Sequence, residues 1–246
     1  QAEDGIRDSV ASRGLGDVYK RQDIMSISNK LRLLKKLWFY EEGAKGNTDL
    51  AGQIVYEFAS KKQDKIIKDW CKTPTGQRYL AGERIIDNIE RFKDRDPNTL
   101  GAKYLQFLEK YQYTEVKDQL PTTQARYNNP EIKAYGAFVT DMHDFTHVIT
   151  GYPPDTFGEL MRIRVYRQYE GRGWAVLYWN GWLKAQFIKS QERKYFNAAV
   201  REARQTEKMA KNYIFEDMFS MLGWHINKVR KNLNTPASKF WNWEIH

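Results

Sequence analysis

Two of the four histidines in this 246-residue sequence, His143 and His147, stand four residues apart. On a helix that spacing stacks both rings on one face, one turn from each other, where two imidazole nitrogens can share a divalent cation. Asp144, about 100° further round the helix, could swing a carboxylate toward the same ion. Glu159 follows His147 after eleven intervening residues. A glycine-proline turn between them should fold the next helix back beside the first, which would make the Glu159 carboxylate a fourth donor. A metal site requires several deprotonated donors to converge, and such a site can do Lewis-acid work on a bound oxygen. Each residue taken singly has a plainer explanation. Thr156 and Glu159 have capping-box spacing, the two histidines could be hydrogen-bonded core residues, and Asp144 could offset nearby positive charge. Four donors in one helix-turn-helix unit weigh the reading toward a metal.

Helices must hold these residues, and the chain punctuates them clearly. Asn129-Pro130-Glu131 supplies a cap, a first-turn proline and a first-turn acid. The helix that starts there should run to about residue 150, where Gly151 suits a left-handed stop and Pro153-Pro154 forbids continuation. Thr156 then opens a second helix that continues to about residue 170, before Gly171 and Gly173. Upstream, Ile27, Leu31, Leu34, Leu37 and Trp38 recur at three- and four-residue intervals, which predicts an amphipathic helix over 24–40. Asn47 or Thr48 can cap another that reaches about residue 72, where Thr73-Pro74-Thr75-Gly76 breaks it. A short rhythm through Ile85, Ile86, Ile89 and Phe92 ends at Asp96-Pro97-Asn98, ahead of an apolar run from Leu100 to Tyr111. The stretch 174–233 reads as two or three helices without an internal proline. The only candidates for strands are short ambiguous pieces such as 136–140. The expectation is an all-α protein: one helical bundle over residues 25–235 with a helix-turn-helix metal site, then a flexible tail over 236–246 containing Trp241 and Trp243.

Composition bounds the partners. With 41% hydrophobic and 29% charged residues the chain can bury a real core, and no apolar stretch reaches the roughly 18 residues of a membrane span. The single cysteine, Cys71, forms no internal disulfide, which fits a reducing cytoplasmic compartment. Forty basic against thirty-one acidic residues leave a net charge of +9, which favours an anionic partner. Nucleic acid would rest on that charge alone, because the sequence has no recognition motif, zinc-finger cysteines or glycine-rich phosphate loop, so no nucleic-acid partner is expected. Residues 1–24 carry no packing periodicity, and Asp17-Val18-Tyr19-Lys20-Arg21-Gln22 resembles the translation of a transposon-end sequencing adaptor. Residues 1–24 are therefore expected to be a disordered sequencing artefact with the native start near Met25.

Taken whole, His143-Asp144-Phe145-Thr146-His147, eleven residues, then Glu159 resembles the His-Asp-x-x-His-x11-Glu signature of the ubiquinone (coenzyme Q) biosynthesis family Coq4. Gly151, the Pro153 turn, Gly158, and Asn98-Thr99-Leu100-Gly101 followed by Phe107-Leu108 support the resemblance, which covers about residues 70–235. It implies work on a polyprenylated aromatic ring precursor, as metal-assisted oxidative decarboxylation at ring carbon 1, as organisation of the biosynthetic complex, or both. In that reading His143, Asp144, His147 and Glu159 are at once the metal ligands and the catalytic residues. Zinc is the expected ion, with iron as the alternative because a two-histidine-carboxylate iron site has the redox change that zinc lacks. The partners implied are the polyprenylated quinone precursor and other enzymes of the pathway. An alternative is a non-catalytic lipid-binding scaffold with a structural metal, which full ligand closure would favour. A phosphohydrolase, suggested by the His143-Asp144 pair, would need a further upstream histidine, and none precedes His143. Trp174, Leu177, Tyr178, Trp182 and Phe187 load one side of a helix, with Lys184, Lys189, Arg193 and Lys194 nearby. That stripe could be plain core, or it could line a lipid channel or lie on an anionic membrane surface as a peripheral attachment.

Overall fold

The computed structural model describes residues 30–35, 54–55, 58, 61–87, 89–112 and 129–244. The segment expected to be a sequencing artefact and the start of the second expected helix lie outside the described residues, while 30–35 are helical as the first amphipathic pattern requires. The main elements are α1 (Lys61–Trp70), α2 (Pro74–Leu80), a 3-10 turn (Ile89–Phe92), α3 (Leu100–Tyr111), α4 (Pro130–Thr150), α5 (Thr156–Glu170), α6 (Arg172–Ala185) and α7 (Ser190–Met209). A 3-10 turn (Tyr213–Phe215) and two short helices, α8 (Met218–Met221) and α9 (Ile226–Asn232), close the bundle. Among the described residues there is no strand, only an isolated bridge between Thr99 and His225. The protein is an all-α bundle, and the ambiguous piece 136–140 belongs to α4.

Helix α4 packs against α1, α2, α3, α5 and α9. Asn129 Oδ1 accepts from the Glu131 and Ile132 amides at 2.8 and 3.3 Å, and Pro130 occupies a first-turn position where no amide is needed. Phe138, Met142, Phe145, Val148 and Ile149 are fully buried on it, and each such side chain adds about 1.5–3 kcal/mol of burial. Trp70 of α1 sits 5.1 Å from the Phe138 ring, and Tyr104 of α3 stacks on Phe145 at 4.1 Å. Helix α4 also carries the buried Asp141, which accepts from the Tyr79 hydroxyl at 2.7 Å and pairs with Arg84. Helix α5 runs between α6 and α7 and packs on α4.

The C-terminus of α4 is finished from elsewhere in the chain. Gly151 adopts φ 80°, the left-handed stop expected of it, and its amide reaches the His147 carbonyl. A helix leaves its last carbonyls without intrahelical donors. Here Arg230 donates to the carbonyls of Val148 and Ile149, the Ser238 amide to Thr150, and the Trp243 amide to Gly151. Residues 236–244 belong to the segment expected from sequence as a flexible tail. They lie across the end of α4, with Trp243 buried and Glu244 paired to Arg230 and Lys103. Two backbone amides, Ser238 and Trp243, share this attachment with the side chains of Ser238, Trp241, Trp243 and Glu244.

The turn between α4 and α5 also differs in register from the expectation. The cap of α5 is Asp155, one residue before Thr156, and its Oδ1 accepts from the Gly158 amide at 2.7 Å. Its other oxygen accepts from the Trp241 indole at 2.8 Å. Glu159 therefore stands one residue beyond the capping-box position and its carboxylate plays no part in the cap.

Candidate metal centre

Helix α4 presents His143 and His147 on one face, ring centroids 5.0 Å apart, and the tight turn brings Glu159 in the first turn of α5 opposite them. His143 Nε2 lies 3.0 Å from Glu159 Oε2, and His147 Nε2 lies 3.2 Å from Glu159 Oε1. One ligand atom from each of the three residues lies within 4.8 Å of the other two. A tetrahedral ion with ligand bonds of about 2.0–2.1 Å sets its donors roughly 3.3 Å apart, so small rotations would complete the geometry. Asp144, the fourth residue named from sequence, does not join the other three. Its Oδ1 lies 2.9 Å from Nδ1, the second nitrogen of the His143 ring. An aspartate beside a ligating histidine in that way fixes the ring's orientation and proton.

His147 is the most telling member. It is fully buried, and its Nδ1–H donates to the Tyr152 carbonyl at 2.9 Å, which leaves the lone pair on Nε2 in the neutral ring. That Nε2 faces a carboxylate oxygen and makes no hydrogen bond with it. A lone pair and a carboxylate oxygen 3.2 Å apart repel unless positive charge lies between them. The donor set and this buried acceptor both fit a cation. Phe107 stacks 5.9 Å from the His147 ring and keeps that side of the site dry.

Without an ion, a proton does part of the work. Burial pulls the His143 imidazolium toward neutrality, but the Glu159 carboxylate and the hydrogen bonds to Asp144 and Glu159 outweigh it, even against the nearby Arg162, and raise its pKa to about 9. Burial likewise favours a protonated Glu159, and the imidazolium of His143 with its hydrogen bond overcomes it, holding the carboxyl well below its usual range. The metal-free site is therefore an ion pair at neutral pH. The stabilisation from His143 is complete below the unfolded histidine value of about 6.5 and is lost as pH rises through about 9. An arriving cation must displace the Nε2 proton, so uptake at pH 7 should release about one proton per ion, falling toward none above pH 9. Calorimetric titrations in buffers of different ionisation enthalpy measure that number; zero protons at pH 7 would contradict the arrangement.

Sequence reasoning missed Arg162. It is wholly buried, its Nε stands 4.0 Å from Glu159 Oε2, and its guanidinium lies 4.8 Å from the centre of the Trp174 ring. Trp174 in turn stacks near the His143 ring at 6.3 Å. The available signal was its position three residues after Glu159, the spacing that shares a helix face.

Comparisons with known proteins bear on the same stretch. The family model described as coenzyme Q (ubiquinone) biosynthesis protein Coq4 matches residues 47–237, which include all four sequence-predicted site residues. Among solved structures, the crystal structure of a candidate ubiquinone biosynthesis protein from Nostoc punctiforme PCC 73102 resembles this chain with a TM-score of 0.63 at 14% identity, covering 85% of this chain and 98% of that one. At that identity the likeness is one of fold. No curated protein sequence matches the chain.

Proposed function

This chain belongs to the Coq4 family of coenzyme Q (ubiquinone) biosynthesis proteins, and from that premise we propose that it acts on the polyprenylated aromatic precursor at a divalent metal held by His143, His147 and Glu159. The observation that carries the reading is the buried His147 Nε2 lone pair facing the Glu159 carboxylate without a hydrogen bond. Two histidines and one carboxylate leave coordination positions for substrate, the pattern of catalytic rather than closed structural sites. This supports oxidative decarboxylation at ring carbon 1 over the scaffold with a structural metal. The bound ion would supply Lewis-acid polarisation of a ring carboxylate or phenolate, and iron would add a redox change that zinc cannot. The protein's own residues do the rest. His147 is fixed by its bond to the Tyr152 carbonyl, Asp144 holds the His143 Nδ1 proton, and Phe107 excludes water. In cells lacking the family member, the wild-type chain should restore ubiquinone and Glu159→Ala should not; restoration by both would reject the metal reading.

The precursor's polyprenyl tail requires access to lipid. No described helix is long and apolar enough to cross a membrane. The stripe on α6 divides in two: Tyr178 is buried, Leu177 packs on the Leu33 and Ile54 cluster, and Trp179, Leu183 and Phe187 are exposed, Phe187 by 82%. Lys189 and Lys194 are exposed beside the α6–α7 turn. Aromatic side chains at a tip ringed by lysines suit a peripheral hold on an anionic membrane. Phe187→Asp should lower co-sedimentation with anionic vesicles several-fold while metal content stays unchanged; equal sedimentation would remove this face from the proposal. Contacts with other enzymes of the pathway belong to the same reading.

A further inference from the structure

We propose that Glu202, on a helix that carries none of the three metal-site residues, sets the orientation of His147 by gripping the side chain of Tyr152. The inference rests on the metal reading above and deepens it by naming what holds the most buried of the three donors in place. The chain of contacts is short. His147 Nδ1–H donates to the Tyr152 carbonyl at 2.9 Å, and the hydroxyl at the other end of the same residue donates to Glu202 Oε2 at 3.2 Å. Tyr152 is 2% exposed, so water is no ready substitute for either bond.

The backbone leaves that carbonyl little freedom of its own. Tyr152 stands between Gly151, at φ 80°, and Pro153, and a residue before proline is confined to extended conformations. The carbonyl therefore turns only if the whole residue turns, and the ring goes with it. Glu202 resists that motion. Its Oε2 also accepts from the Ser238 hydroxyl at 2.6 Å, and its Oε1 from the Lys239 amide at 2.8 Å. A carboxylate with both oxygens engaged is held in one rotamer, and hydrogen bonds to a charged acceptor are roughly twice as strong as neutral ones. Thr150 Oγ1 is the weaker hold, 3.4 Å from the Tyr152 amide. Glu202 belongs to α7, which packs on α5, so the same anchor references His147 to the helix that supplies Glu159. In a neutral imidazole the bond at one nitrogen decides what the other can do. Held by Tyr152, the ring keeps its Nε2 lone pair toward Glu159; released, it can turn or exchange tautomer, and the site loses that donor. Glu202 is thus a positioning residue that acts through Tyr152 and touches no ligand atom.

The test uses the full chain with isotope-labelled histidine, whose ring-nitrogen resonances report which nitrogen carries the proton, first without metal and then during titration with zinc. In the metal-free wild type the His147 proton should sit on Nδ1 and exchange slowly with solvent. Tyr152→Phe removes one oxygen and leaves the carbonyl, the ring and the bonds from Ser238 and Lys239 to Glu202. It should nonetheless speed exchange of the Nδ1 proton at least about ten-fold. Zinc binding should weaken about ten-fold, the low end of the cost of losing a partner that orients a ligand. Glu202→Ala should do the same, and the double variant should bind zinc no more weakly than the more affected single one, because both act through one bond. Trp241→Phe is the structural control: it removes the indole bond from the same C-terminal segment to Asp155 and leaves Glu202 and Tyr152 untouched. It should lower stability with the His147 resonances unchanged. Two outcomes would mean a general structural role and overturn the proposal: effects of Tyr152→Phe and Glu202→Ala that add in full, or His147 resonances that shift as far in Trp241→Phe as in Tyr152→Phe. A wild-type His147 signal in Tyr152→Phe would overturn it too. If Glu202→Ala does not fold, Tyr152→Phe against Trp241→Phe decides. A wild type that takes up no zinc would reject the metal reading, and the resonances of the metal-free variants would still decide the role of Glu202.

Discussion

Glu159→Ala is expected to reduce bound metal from one equivalent to near none. Losing a partner that only orients a ligand costs about 10–100-fold in metal affinity, so losing the ligand itself should cost at least about 100-fold. The size follows from geometry: this carboxylate places one oxygen near each histidine, 3.0 Å from His143 Nε2 and 3.2 Å from His147 Nε2. No other acid among the described residues joins that cluster, and Asp144 is engaged with the other nitrogen of His143. Glu159→Gln separates charge from shape. It fills the same space and can still hydrogen-bond, but it neither balances the cation nor anchors the His143 proton, so it should lose metal nearly as completely. Elemental analysis of the purified proteins reads both variants. Metal retained in Glu159→Gln would mean that packing around the side chain, and not its charge, holds the site together.

The second large effect is expected away from the ligands, at Gly158. A Cβ there would fall 1.9 Å from the Pro153 carbonyl oxygen and 2.9 Å from its carbon. Those are backbone atoms of the turn that fixes the angle between α4 and α5, so they cannot move aside as a flexible side chain would. Gly158→Ala should destabilise the protein by about 3 kcal/mol through overpacking, which for a domain of this size lowers the melting temperature by roughly 6–12 °C. The strain also has a direction. Relief requires the first turn of α5 to back away from the proline, and Glu159 is the next residue. Metal affinity should fall with stability, and thermal melts with and without added zinc would show both. A melting temperature within about 2 °C of wild type would indicate that the turn is softer than its geometry implies.

Much of this arrangement was legible before any coordinates. The limits of α4 follow from Asn129, Pro130 and Gly151, each of which does in the structure what its chemistry suggests. The pairing of His143 and His147 follows from helical periodicity, and Glu159 from a short turn that leaves the chain no choice but to double back. The ambiguity at α5 was genuine: Asp155 and Thr156 are both competent caps, and the choice fell to Asp155, whose second oxygen is occupied by Trp241, a residue 86 positions away. Asp144 illustrates a different limit. Periodicity places its Cα, but whether a short side chain turns toward the ion or toward the ring beside it depends on a rotamer. Arg162 and the aromatic stripe of α6 were legible as residue types and not as environments, because burial of a long cation and exposure of a phenylalanine both run against composition.

The closure of α4 by Arg230, Ser238 and Trp243 bears on the order in which the protein can mature. During synthesis the histidines and the glutamate emerge well before the groups that satisfy the carbonyls at the end of their helix, so a nascent chain on the ribosome holds the donors on an unfinished support. Native affinity for an ion should then arise only after residue 243 has left the exit tunnel, which would guard against a cation trapped early by a half-built bundle.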